Sequence, residues 1–428
     1  KILAEDPILR NDMSMLGMSR IDQVKIMAEK TKRSHEVFNL TESNPHNLIE
    51  FWSHNITQLH LSVSFFMFIP YIKTLGTPEQ VEKWVKPALR TEVIGAYAQT
   101  ELGHGSDVQN LETTATFDPK TDEFIINSPT LTSIKWWPGE LGLNANHCIC
   151  FAQLIINGKN YGVHSFVVQI RDMETNKPLP NIEVGDIGPK IGYISKDNGF
   201  LKFNNVRIPR ENMLMKYTVV TRDGKYERRG NQKIGYAIMM LTRDLICHTC
   251  WKFLAHALTI AVRYSIVRTQ FKNESGEEVK ILDYQTQQDK LLPLLASTFA
   301  MHAASYKVSE LARENIRRIE EKEDFSLMGD VHALLCGCKA FYSWEGADGI
   351  NTCRLSCGGH GYSSYSGFTP LLNEFYVNCT HEGENTVMAL QTARYLIGSL
   401  TKLQKGEKIA QYADYLIELP QLLEGKIG

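Results

Sequence analysis

The stretch THEGENTVM, residues 380–388, places two carboxylates two positions apart around a glycine, just ahead of a run with helical spacing, NTVMALQTARYLIGSLTKL. An acid in this setting has two uses. It can cap or neutralise the positive end of a helix. It can also act as a general base when a ligand strips water from it and raises its pKa. Glu384, beside Asn385 at the helix entry, suits the first use; Glu382, before Gly383 in the loop, can project into a cleft and suits the second. A glycine cluster, CGGHGYSSYSGF (357–368), lies upstream. Two further segments have the make-up to meet a ligand. In AYAQTELGHGSDVQNLETTATF (96–117), Gly103, Gly105 and Ser106 let a backbone approach a ligand and offer amide donors; a plain glycine-rich loop is the blander reading. SIKWWPGELG (133–142) carries adjacent tryptophans, which point to opposite faces of a strand. Either one ring lines a pocket and covers something flat, or the two serve two packing layers.

Other chemistries lack their signatures. There is no G-x-G-x-x-G for a nicotinamide cofactor, no phosphate-loop motif, no HExxH and no GxSxG elbow. The nine cysteines include Cys247 and Cys250 at CxxC spacing, inside a helical pattern and without a second pair at zinc-ribbon distance. Buried free thiols are expected, and no metal.

Three zones must position these residues. Residues 1–92 show helical periodicity in SRIDQVKIMAEKTKR and NLIEFWSHNITQLHLSVSFFMFIPYIKTL, and Thr77-Pro78-Glu79 reads as a helix start. Residues 93–225 change period: 123–127, 147–156, 161–170 and 199–208 read as strands separated by turn residues, which predicts an antiparallel, barrel-like sheet. Residues 226–428 return to long helices that suit an antiparallel bundle. The fold class is therefore α+β, in the order helical domain, β-domain, helical bundle. A formal net charge of −2 leaves no basic field for nucleic acid, and no unbroken apolar run of 18 residues predicts a membrane span.

Taken in order, YAQTELGHGS, NSPTLTSIKWWPG, GDIGPKIGY, RIPRENMLMKY, ILDYQTQQ, CGGHGYS and EGENTVMALQTAR resemble the acyl-CoA oxidase branch of the acyl-CoA dehydrogenase superfamily, over nearly the whole chain. The resemblance implies an FAD enzyme that converts a fatty acyl-CoA to a trans-2-enoyl-CoA and reduces O2 to H2O2. It implies Glu382 as the catalytic base, and Thr100, Ser106, Trp136 and Gly139 at the flavin. More weakly it implies cofactor contacts from Gly358 and Gly359, and from Arg268 toward a partner subunit in a homodimer. It implies peroxisomal residence as well. The sequence departs from the family pattern at His381, where an aromatic Phe is usual, and at Glu140, where glycine is usual and a charge is added. Family members usually continue into a second C-terminal helical domain and often end in a peroxisomal signal, and neither is present by Gly428. Two alternatives stay open: a dehydrogenase passing electrons to a carrier flavoprotein, and a structural subunit that has lost the chemistry.

Overall fold

A computed structural model describes residues 5–10, 13–38, 60–230 and 234–425. The part of the expected N-terminal helical pattern between residues 47 and 59 lies outside them. The chain forms two compact units, Lys1–Ile238 and Met239–Gly428.

The first unit opens with helices α1 (Arg20–Phe38), α2 (Ile69–Leu75) and α3 (Pro78–Leu89). Helix α3 starts where the sequence places it. Thr77 accepts from the Gln80 amide, Gln80 accepts from the Thr77 amide, and Pro78 fills the first turn, where its missing N–H costs nothing. The strands follow as β1 (Gly95–Ala98), β2 (Thr114–Asp118), β3 (Glu123–Asn127), β4 (Lys135–Trp136), β5 (His147–Ile156), β6 (Lys159–Gln169), β7 (Ile182–Asp186), β8 (Gly199–Phe203) and β9 (Val206–Pro209). A ribbon of β10 (Thr218–Val220) and β11 (Tyr226–Arg228) closes the series.

Strand β5 organises the unit. Its alternate residues Cys148, Cys150, Ala152, Leu154 and Ile156 join the sheet core with Phe117, Phe124 and Phe166, while Ile149 and Phe151 join a second core with Tyr71, Trp84 and Val85 of α2 and α3. A strand buried on both faces reads as a near-continuous apolar run, which HCICFAQLII is. The sheet is mixed, where the spacing predicts a purely antiparallel one. Strand β6 occupies one edge of β5 in antiparallel register, and the other edge takes β1 along His147–Cys150 and then β2 along Gln153–Ile155, both parallel to β5. Thus β1 and β2 lie end to end, and residues 99–113 leave the sheet between them. The single strand expected over 199–208 is two strands in different sheets: β8 pairs with β4 and β7, and β9 pairs with β3. The break falls at Asn205, whose φ of 52° is a left-handed turn conformation that asparagine tolerates.

The second unit contains α4 (Ile234–Val267, which begins in the first), a β-ribbon of β12 (Thr269–Lys272) and β13 (Glu278–Lys280), then α5 (Gln285–Lys322), α6 (Met328–Ser356), α7 (Phe368–Phe375), α8 (Asn385–Gln404) and α9 (Leu419–Leu423). Close approach to α6 depends on glycine. A Cβ on Gly346 would lie 2.3 Å from Phe375 Cζ, and one on Gly349 would lie 2.7 Å from Leu254 Cδ1. The absence of an unbroken apolar run does not exclude a spanning helix by composition, because Met240–Val267 is long and apolar enough once its charged residues are averaged in. Of its most apolar 18-residue window, 56% is buried inside the protein, the pattern of a central bundle helix.

Candidate active site

The first unit carries the loop that leaves β1 and returns to β2. Its neck is closed by Glu101, whose buried carboxylate accepts from the amides of Glu112 (2.7 Å) and Thr113 (2.9 Å), from the Thr113 hydroxyl (2.6 Å) and from Lys135 Nζ (2.9 Å). Neither side chain of the Lys135–Glu101 pair is exposed. Burial alone would raise the Glu101 carboxyl; the Lys135 charge and the amide donors hold it below the usual range. Glu101, His104 and Glu112 bring ligand atoms within 4.8 Å of one another. The Glu101 oxygens there are already taken up by amides, a hydroxyl and an ammonium. Outward from this neck, Gly105 and Ser106 are exposed, and a Cβ added to Gly105 would meet no neighbour within 4 Å.

Backbone pairing brings Thr100 and Trp136 together: the Trp136 amide donates to the Thr100 carbonyl at 3.0 Å. The two tryptophans then part. Trp136 is partly buried, its ring stacked on Phe200 at 5.8 Å and 23°. Trp137 takes a φ of 87° and is 55% exposed, so the pair does not serve two packing layers. Gly139 is buried, and a Cβ there would lie 2.8 Å from Lys196 Cε. Its neighbour Glu140 has a φ of 62°, a conformation that favours the glycine usual at this position. The charge expected there is buried and answered by Lys196 at 2.5 Å, which also donates to Ser62 at 2.6 Å. Burial raises the Glu140 carboxyl, and the Asp197 charge adds to the rise.

In the second unit, Glu382 and Gly383 form a left-handed pair with φ of 56° and 101°, directly before α8. The two acids of the motif divide their roles. Glu384 caps α8, its carboxylate accepting from the amides of Thr386 (2.9 Å) and Val387 (3.3 Å). Glu382 caps nothing; it is half-buried, and Thr242 Oγ1 donates to its Oε2 at 2.7 Å. Burial raises the Glu382 carboxyl, against the Thr242 hydrogen bond and the charges of Arg243 and Lys339. The His381 ring adds no charge beside it. Burial and then the Lys339 charge push that imidazole down to about 3, and its Nε2 meets Asn378 Oδ1 at 3.0 Å.

Two buried cations hold the turn from outside the motif. Arg243 Nε of α4 donates to the Glu382 carbonyl at 3.0 Å, and Lys339 Nζ of α6 donates to the Gly383 carbonyl at 2.6 Å and to Asn385 Oδ1 at 2.8 Å. Sequence reading missed Thr242, Arg243 and Lys339, which lie far from residue 382 in the chain. The available signal was a lone charge within an apolar helix, as in LLCGCKAFYSW. The remaining predicted residues stand on the unit's surface. Gly358 (φ 56°) and Gly359 are exposed on a short 3-10 turn after α6, and a Cβ on either would meet nothing within 4 Å. Arg268 is exposed at the end of α4, where the unexpected β12–β13 ribbon begins. Cys247 and Cys250 are buried free thiols raised by burial.

Two protein-family descriptions match: "Acyl-coenzyme A oxidase N-terminal" over residues 1–94 and "Acyl-CoA oxidase, C-alpha1 domain" over residues 236–397. The peroxisomal acyl-coenzyme A oxidase 1 proteins of rat and human are each 50% identical over 364 residues, covering 84% of this chain and 54% of the relative. Among solved structures, Arabidopsis thaliana acyl-CoA oxidase 1 superposes with a TM-score of 0.91 at 42% identity, over 96% of this chain and 63% of that one. Acyl-CoA oxidase-2 of Caenorhabditis elegans, solved with FAD, ascaroside-CoA and ATP, gives 0.92 at 39% identity, over 97% and 63%. The chain thus spans about half the length of the curated relatives it matches. On matched domains, identity and fold together, the chain belongs to the acyl-CoA oxidase family.

Proposed function

We propose that the chain is the catalytic part of a peroxisomal acyl-CoA oxidase, which removes hydrogen from the α- and β-carbons of a fatty acyl-CoA to give a trans-2-enoyl-CoA and reduces O2 to H2O2. The observation that carries this reading is Glu382: a loop carboxylate raised by burial and oriented by Thr242, while the neighbouring Glu384 does the capping. The three-part division at 1–92, 93–225 and 226–428 is proposed with it: helix gives way to strand between Leu89 and Gly95, and helix resumes at Ile234, just past the second boundary, after β11 has paired back to β10.

The residues present fit FAD. Exposed glycines whose missing side chains leave the backbone open suit a phosphate-bearing ligand, and the Trp136 ring, laid flat on Phe200, suits a planar one. In the first unit, Thr100, Ser106, Trp136 and Gly139 would contact it; taken by itself, the second unit offers Gly358 and Gly359 as proposed cofactor contacts and Arg268 as the residue proposed to reach a partner's cofactor in a homodimer. When bound, FAD supplies the acceptor for the β-hydride and returns its electrons to O2. The protein's own part is placement and proton transfer. Glu382 takes the α-proton. Thr242 occupies Oε2, which leaves Oε1 as the acceptor, and the Glu382 amide is the donor proposed for the thioester carbonyl, where negative charge develops. Cations hold the carbonyls of Glu382 and Gly383, which fixes the two peptide planes that follow the Glu382 side chain before substrate arrives. Matches to oxidase domains favour oxygen over a carrier flavoprotein as acceptor, and the arrangement around Glu382 argues against a purely structural subunit.

The test is purified protein given a panel of acyl-CoA chains, with peroxide and flavin absorbance read together. Peroxide should appear mole for mole with acyl-CoA consumed. Glu382→Gln should keep the yellow flavin and lose about 10²–10⁴-fold in turnover. Consumption without peroxide removes the oxidase reading; turnover of E382Q within tenfold of the parent removes Glu382 as base.

A further inference from the structure

Lys339 transfers no proton in the reaction just described, yet its position is costly. The side chain is fully buried on α6, and its ammonium has no carboxylate within salt-bridge distance among the described residues. A buried charge without a counter-ion is one of the less favourable arrangements a core can hold. What the ammonium does contact is specific: the carbonyl of Gly383 and the side-chain oxygen of Asn385, the first residue of α8. Asn385 is itself buried and fixed to Ser343 Oγ at 2.8 Å and the Ala340 carbonyl at 3.3 Å. Residues 383 and 385 are therefore tied to one face of α6, with Glu382 just ahead of them.

The second cation completes the pattern. Arg243, also buried, takes the carbonyl of Glu382, and its Nη1 rests 3.3 Å from His332 Nδ1. Successive carbonyls of a left-handed pair are thus each gripped by a cation from a different helix. Such a pair is strained for a residue with a side chain, and it persists only where its surroundings over-determine it. A glutamine or a methionine would fill the space of Lys339; only a cation both grips the carbonyl and acts on a carboxylate next door.

We propose that Lys339 is a positioning residue for Glu382: its ammonium locks the Glu382–Gly383 turn and favours the ionised form of the carboxylate that takes the proton. This rests on the reading of Glu382 as the base. The groups facing Lys339 are Arg243, Cys247 and Cys250 from α4, Cys336 from α6 itself, Cys379 and His381 from the turn before the motif, and Glu382 and Glu384 of the motif. Glu382 and Glu384 are the acids among them, and Glu384 is already held below the usual carboxylate range, first by the Thr386 amide it caps. The thiols are raised by burial and His381 is neutral, so the two carboxylates are the anions the ammonium acts on, and of these Glu382 is the one that burial raises. The sign follows: removing the positive charge leaves burial less opposed, and the Glu382 carboxyl titrates at higher pH.

The test uses the flavin-loaded protein with Lys339→Met, Lys339→Gln and Lys339→Arg. With K339M we expect retained flavin, KM within about threefold, kcat lowered on the order of tenfold at neutral pH, and the acid limb of the kcat profile moved up by about one unit. K339R should restore most of that shift. Infrared titration of the Glu382 carboxyl band, identified by its loss in E382Q, reads the same displacement without turnover. K339Q can donate to Gly383 without a charge and serves if K339M does not fold. A parental acid limb and carboxyl band in folded K339M or K339Q would overturn the proposal while leaving Glu382 as base, provided E382Q is inactive. Failure of both uncharged variants to fold would also overturn it, by assigning Lys339 to stability alone. An active E382Q would instead strike the reading beneath it.

Discussion

Glu140 shows how two local costs are weighed against each other. Its φ of 62° strains a side-chain-bearing residue, and replacing it by glycine relieves about 1–2 kcal/mol. Its carboxylate also neutralises buried Lys196, and breaking a buried pair by removing one partner costs about 3–5 kcal/mol. The second figure is larger, so E140G should lower the melting temperature even though it restores the residue usual in the family. E140G combined with K196M should recover most of the loss. A melting temperature for E140G equal to or above the parent's would show that the backbone term wins.

At the scale of elements, Glu101 is the clasp of the 99–113 loop. Its carboxylate closes the neck by holding the amides at 112 and 113, and it is the counter-charge of Lys135 on the adjacent β-strand. E101Q should speed hydrogen exchange at those two amides, weaken flavin retention and destabilise the fold by about 3–5 kcal/mol. E112Q, at a partly exposed carboxylate, should do much less. Unchanged exchange in E101Q would sink the clasp. The elements themselves were largely legible, because β5, α3 and α6 carry periodic patterns or capping residues that leave one reading open. Direction along β5 was not: strand spacing carries no sign, and only the loop's return beside its starting strand makes β1 and β2 parallel to it. Nor was the hinge at Asn205 visible inside GFLKFNNVRI, where two short strands of one period look like a single longer one. At the site, the motif separated the acid that caps from the one that does not. Lys339 was marked only as a lone charge in an apolar helix, and the link of Thr242, Arg243 and Lys339 to the motif was out of reach, because helix packing makes it and local pattern does not encode it.

For the whole molecule, Arg268 is exposed at the end of α4 with Gln270 at 3.3 Å as its one described side-chain partner, and its guanidinium is the one proposed above to reach a partner's cofactor. With the homodimer proposed above, the protein should sediment as a dimer, and R268A should remain a dimer while losing flavin more readily on dilution. A parental flavin off-rate in R268A would remove the arginine from the cofactor's surroundings. The end-to-end seating of β1 and β2 has a consequence for how such a molecule can change over time. Strand β5 runs on from Cys150 to Gln153 whatever the chain does between Ala98 and Thr114, so the excursion's length is uncoupled from the sheet that anchors it. Closing a longer flexible segment costs only about 0.6 kcal/mol per doubling. Peptide grafted near Gly105 should therefore leave the sheet standing, and any loss would fall on the flavin proposed beside Ser106, not on the scaffold.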